Sequence, residues 1–210
     1  MRTMFFLLIL VGVMAGSSTK AEDPPVDKPA ITQEQVVAEI KNFGGKAFRD
    51  GSDSDGPVVA VIFDRKSSAA VTDAVLEHFK GLSALRVLTL DYTKVTDVGL
   101  EHLKELNQLQ FLDLADTKVT DAGLEHLKGL SQLQTLYLNK TEVTDAGLAH
   151  LRGLNNLDGL ILVGTKVTDE GLEHLKGLKR LHMLVLTGTK VTDQGVKKLQ
   201  DALPKCDIMH

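Results

Sequence analysis

Residues 109–132 read LQFLDLADTKVTDAGLEHLKGLSQ, and sister units begin at Leu85, Leu133, Leu157 and Leu181. The tripeptide Val-Thr-Asp starts at Val71, Val95, Val119, Val143, Val167 and Val191, always 24 residues apart. A period of this length is the mark of a stacked repeat architecture. Within the unit, the L-x-x-L-x-L segment ends in alternation of period two. Leu112 and Leu114 therefore point to one side and Phe111, Asp113 and Ala115 to the other, which predicts a short strand. Thr120 and Asp121 then form a pair able to satisfy the free amides of a first helical turn, and Leu124, Leu127 and Leu130 follow at steps of three, which predicts a short helix. A strand and a helix that return every 24 residues must stack, with strands in one parallel sheet and helices in the opposite layer. Neither layer can bury its apolar face alone.

On these motifs the chain resembles leucine-rich repeats, specifically the GALA-like, F-box-associated class with a true helix per unit, and small secreted bacterial proteins built from them. The resemblance covers residues 58–210 and rests on five nearly gapless units. It implies an α/β fold: a right-handed solenoid with a parallel concave β-sheet and convex α-helices. One position departs from the family pattern. The asparagine usual after the strand is here Thr93, Thr117, Thr141, Thr165 and Thr189. A hydroxyl satisfies fewer backbone groups than an amide side chain, so a hydroxyl ladder is expected in place of the amide ladder.

The ends of the chain depart from the repeat. Met1 and Arg2 precede an apolar run from Phe5 to Met14 and the small residues Ala15 to Ser18, the pattern of a signal peptide over residues 1–21. That run is about half of the ~20 residues a membrane-spanning helix needs. The expectation is a mature chain without an integral membrane segment, secreted or periplasmic. Residues 22–30, with Pro24, Pro25 and Pro29, read as a flexible spacer. Residues 31–57 read as an N-terminal helical cap: Thr32 with Gln35 makes a capping box, and Gly44 and Gly45 stop the helix. Residues 58–84 are a divergent capping repeat and 85–204 five regular units. Residues 205–210 form a closing strand with Ile208 inward and Cys206 buried.

Charge and motifs narrow the function. Without Arg2 and Lys20 the chain carries 22 basic against 28 acidic side chains, a net charge of −6, which disfavours a nucleic-acid partner. A lone cysteine cannot make an intramolecular bridge. His78, His102, His126, His150 and His174 recur at one helix position and could line up along a flank, but no carboxylate or thiol joins them at ligand spacing. Packing explains that ladder better than a metal sensor does. Asp53, Asp55 and Gly56 fall short of a calcium loop, because Gly51 and Ile62 stand where its first aspartate and closing glutamate belong. Glu–Lys pairs three apart, such as Glu125 with Lys128, mark the solvated helix face. No nucleophile elbow, zinc-protease helix or phosphate loop occurs. The sequence thus points to no enzyme, no cofactor and no metal.

The units compare themselves with one another. Positions that repeat serve the solenoid, and those that vary are released from that duty. The outward strand positions vary most, and among them Phe111, Tyr137, Ile161 and Val185 are expected to form an apolar stripe edged by Asp91, Asp113 and Asn139. Seven strands at ~4.8 Å span roughly 29 Å, a strip suited to a peptide, a glycan or a weak protein contact. The expected function is a monomeric, exported, non-catalytic interaction module whose partner is a protein, peptide or glycan. A ubiquitin-ligase substrate receptor is the alternative by repeat class, but residues 22–57 are too few for an F-box adaptor.

Overall fold

A computed structural model describes residues 32–51, 55–63, 65 and 68–210. The signal-peptide and spacer expectations, and Asp53 of the acidic turn, lie outside these residues. Six strands recur once per unit or its terminal counterpart: β3 (Val87–Thr89), β4 (Phe111–Asp113), β5 (Thr135–Tyr137), β6 (Gly159–Ile161), β7 (Met183–Val185) and β8 (Asp207–Met209). They follow α1 (Gln33–Asn42), β1 (Gly45–Arg49) and β2 (Val58–Phe63), and one eight-stranded sheet runs in the order β1 to β8. From β2 onward every pairing is parallel and in register, so Leu88, Leu112, Leu136, Leu160, Leu184 and Ile208 form one row. The leucines of that row are fully buried, and Ile208 packs partly buried against the core at the C-terminal end. The molecule is an α/β solenoid of parallel strands alternating with short helices, the architecture that the resemblance implies.

The opposite layer is built from α2 (Asp73–Leu76), α3 (Asp97–Leu100), α4 (Asp121–Leu124), α5 (Asp145–Ala149), α6 (Asp169–Leu172) and the longer α7 (Asp193–Ala202). Each internal helix is only about one α-turn, and α2, α3 and α4 pass directly into 3₁₀ turns. The leucine spacing accounts for this. Leu124, Leu127 and Leu130 lie three apart, and a helix with three residues per turn keeps them on one side, whereas an α-helix would rotate each onward. All three are fully buried.

The Thr-Asp pair divides its work between units. Thr96, Thr120, Thr144 and Thr168 are N-caps whose hydroxyls accept the second amide of their helix. The aspartate faces the next unit instead of its own helix. Asp73, Asp97, Asp121, Asp145 and Asp169 each accept two hydrogen bonds, from the backbone N–H and the hydroxyl of Thr96, Thr120, Thr144, Thr168 and Thr192, at 2.6–2.8 Å. The repeated glycine of the helix makes room for this carboxylate. A Cβ on Gly99, Gly123, Gly147, Gly171 or Gly195 would lie 2.1–2.4 Å from the preceding unit's Asp Oδ1. At the C-terminal end Asp193 has no following threonine, and His210 Nε2 meets its Oδ1 at 2.7 Å.

Two expectations are corrected here. The hydroxyls of Thr93, Thr117, Thr141 and Thr165 form no ladder between units. Each donates at 2.6–2.8 Å to the carbonyl three residues back in its own unit, closing the turn after the strand. The inter-unit ladder belongs to the aspartates. Residues 31–57 also hold more than a helix. The capping box of Thr32 and Gln35 is formed and Gly44 sits at φ 74°, but the chain then enters β1, antiparallel to β2. Gly45 is required by packing, since a Cβ there would stand 2.6 Å from the Phe63 ring and 2.8 Å from Ile40. With Val36 and Ile40 buried, α1 closes the N-terminal end of the core.

Candidate functional site

Parallel register turns the outward side chains of the strands into straight rows. One row runs Phe48, Ala60, Val87, Phe111, Thr135, Gly159, Met183, Asp207. The second runs Lys46, Ile62, Thr89, Asp113, Tyr137, Ile161, Val185, Met209. Tyr137, Ile161 and Val185 therefore share a row, while Phe111 stands one row aside and one strand earlier. The expected stripe bends at that point. Phe111 and Tyr137 still meet diagonally, with ring centroids 5.4 Å apart and planes tilted by 46°. Both rings are partly exposed, as is Val185. Ile161 is not available to a partner, because it is only 6% exposed. It sits between Tyr137 and Val185 in its row and next to Gly159, above which the Met183 methyl lies.

The apolar surface extends beyond the residues singled out from the sequence. Phe48, Ile62, Met183 and Met209 are exposed and lie in the same two rows, at the two ends of the sheet. Met183 occupies the outward repeat position that Phe111 holds in its own unit. Phe48 was not visible in the sequence, because nothing in the repeat template signals β1, an antiparallel strand outside the 24-residue period. Eight strands at ~4.8 Å make the face about 34 Å long.

Acidic groups edge this surface at one place. Asp113 lies beside Tyr137 in its row, and its Oδ1 accepts a hydrogen bond from the Ala115 N–H at 2.9 Å. Burial pushes the Asp113 carboxyl above the ordinary aspartate range, and the nearby charge of Asp91 adds to the rise, against that one hydrogen bond. Asn139, two residues past Tyr137, has its Oδ1 buried and without a hydrogen-bond partner. Beyond this edge the chain turns through Tyr92, Asp116, Lys140, Gly164 and Gly188, all with positive φ at one repeat position. Lys140 Nζ stands 3.6 Å from Asp116, and the Arg65 guanidinium lies 4.0 Å from the centre of the Tyr92 ring.

Two histidines of the repeated helix position have local partners, whereas His102 Nδ1 is buried without a hydrogen-bond partner. His78 Nε2 is 3.1 Å from Glu39, Arg152 contacts the His174 ring, and burial lowers the pKa of that ring, with Arg152 adding to the effect. Among the described residues no three His, Cys, Asp or Glu side chains converge on a metal position. The turn before β2 is closed by Arg49, whose guanidinium donates to the Gly56 carbonyl at 2.6 Å. Cys206 is buried beside a cavity of about 220 Å³ at the C-terminal end. Burial pushes its thiol up to about 11, so it stays protonated and unreactive at neutral pH. Among the described residues no helix is long and apolar enough to cross a membrane.

Comparison with known proteins bears on the fold and the repeat. Among solved structures, an internalin from Listeria monocytogenes is 26% identical over 63% of this chain, with a TM-score of 0.56. Internalin C2 of the same organism is 27% identical over 63% of the chain, with a TM-score of 0.49. The chain spans 36% and 55% of the length of these two proteins. No curated protein matches it. The family model described as a leucine-rich repeat region matches residues 61–207, well over half of the sequence, and the chain belongs to the leucine-rich-repeat family.

Proposed function

We propose that this protein is an exported, non-catalytic interaction module that binds a protein or peptide through the outward face of its sheet. The observation that carries the reading is the Phe111–Tyr137 pair. Two aromatic rings touch each other on the solvent side of neighbouring strands, at positions where the other units hold unrelated residues. The solenoid therefore does not need them there. Partly exposed aromatics within an apolar patch are the side chains that most often dominate protein interfaces. The signal-peptide pattern at residues 1–21 supports export to an extracytoplasmic compartment, and the one-turn helix in each unit is compatible with the GALA-like class. Affinity capture tests the reading. Wild-type protein should retain its partner from an extracytoplasmic fraction, and Phe111→Ala/Tyr137→Ala should lose it while melting at nearly the wild-type temperature. Undiminished capture by a folded double variant would place recognition on another surface.

A further inference from the structure

The acidic edge of the sheet face has an excess of acceptors that the chain does not answer. Asp113 receives a single backbone N–H, and Asn139 Oδ1 is buried with no donor. Asp91 is close enough to raise the Asp113 pKa. Among the described residues no lysine or arginine pairs with Asp91 or Asp113. The neighbouring cations are engaged elsewhere, Lys140 with Asp116 and Arg65 over the Tyr92 ring. Partial burial of an uncompensated carboxylate is costly, and Asp113 stands next to Tyr137 in register, with the Phe111 ring packed against that tyrosine.

We infer that the partner inserts an arginine side chain here, its guanidinium stacked on the Phe111–Tyr137 pair and donating to Asp113 and Asp91. This rests on the sheet face being the binding surface and specifies what that surface recognises. A guanidinium meets both needs of the site. It is planar and stacks on aromatic rings, and its five N–H donors fork toward several acceptors at once, which an ammonium point charge does not do. Arg65 over Tyr92 is the same stacking within the chain. Asp113 is the central acceptor because it lies beside Tyr137 in register.

The probe is N-acetyl-arginine amide, titrated into the purified protein with the ring resonances of Phe111 and Tyr137 and the Asp113 carboxyl carbon as reporters. N-acetyl-citrulline amide, of nearly the same shape but uncharged, is the control on the unaltered protein. The arginine probe should shift all three reporters, with citrulline about tenfold weaker, the scale of one charge-assisted hydrogen bond. Asp91→Asn/Asp113→Asn should weaken the arginine probe to the same degree. Equal shifts with citrulline, or arginine shifts spread over carboxylates elsewhere on the surface, would overturn the inference. No arginine response, with partner capture still dependent on Phe111 and Tyr137, also overturns it but leaves protein binding standing. Capture indifferent to those two rings removes the underlying reading and this inference with it.

Discussion

Aspartate appears in two regions of this molecule under opposite conditions. On the helical flank Asp73, Asp97, Asp121, Asp145 and Asp169 recur every 24 residues, and each is held by two donors from the following unit. On the sheet face Asp91 and Asp113 stand at positions where no other regular unit holds an aspartate, and Asp113 has one backbone donor. The first set satisfies itself within the solenoid. The second is left short of donors by the fold, as a surface directed toward another molecule would be. Repetition within one chain therefore separates structural duty from residues available for recognition, even between residues of the same type.

The largest expected effect comes from neighbours on β5. Leu136 is fully buried and Tyr137 is on the outward face. Leu136→Ala should destabilise the fold by about 2–5 kcal/mol in a urea titration, as large-to-small core changes do. Tyr137→Ala should cost much less, and equal losses would show that the two faces are misassigned.

Two glycines sharpen the contrast. A Cβ on Gly147 would lie 2.3 Å from the hydrogen-bonded Asp121 Oδ1, whereas on Gly159 its nearest contact is the Met183 methyl at 3.5 Å. Gly147→Ala should therefore destabilise by about 1–3 kcal/mol through overpacking. Gly159→Ala should leave stability unchanged or raise it by about 0.5 kcal/mol, by restricting the unfolded chain. Melting curves of the two variants check this, and a loss at Gly159 as large as that at Gly147 would break the contrast.

The smallest effect is in pH dependence, where the two sets should differ in sign. The Thr192 N–H and hydroxyl hold the Asp169 carboxyl below its ordinary value. Its contribution is complete above the unfolded carboxylate pKa and is lost as pH falls through the folded one. The Asp113 pKa is raised by burial and by Asp91, so the folded state holds that proton more tightly, and the contribution of Asp113 declines as pH rises through the carboxylate range. Relative to wild type, Asp169→Asn should lose most stability near neutrality, while Asp113→Asn should gain there. Melting temperatures between pH 3 and pH 7 measure both, and curves of the same sign would refute the assignment.

The solenoid was legible because its signal is carried by period. Six Val-Thr-Asp tripeptides and the leucine spacing specify unit length, strand and layer. What was hidden was the direction of particular bonds. Thr120 and Asp121 read as a cap for one helix, yet the aspartate turns to the next unit, and only the glycine three residues after the threonine hinted at a close approach there. The hydroxyl ladder failed for the same reason, since the hydroxyls of Thr93, Thr117, Thr141 and Thr165 meet the carbonyl three residues back in their own turn. The site was partly legible. Phe111 and Tyr137 stood out as outward aromatics, but alternation alone does not reveal that they occupy different rows or that Ile161 is covered by its neighbours. Phe48 was missed because β1 carries none of the repeat.

Equilibrium urea unfolding of Asp121→Ala beside Asp113→Ala tests the division of labour most directly. The first variant leaves the N–H and hydroxyl of Thr144 without their acceptor. It should lose about 1–3 kcal/mol, the cost of unsatisfied donors in a partly buried flank. The second removes a carboxylate short of donors and should stay within about 0.5 kcal/mol of wild type, relief of its burial offsetting the single Ala115 hydrogen bond. Equal losses, or a greater loss at Asp113, would contradict the claim that the repeated aspartates hold the solenoid and the unrepeated ones are free of that task.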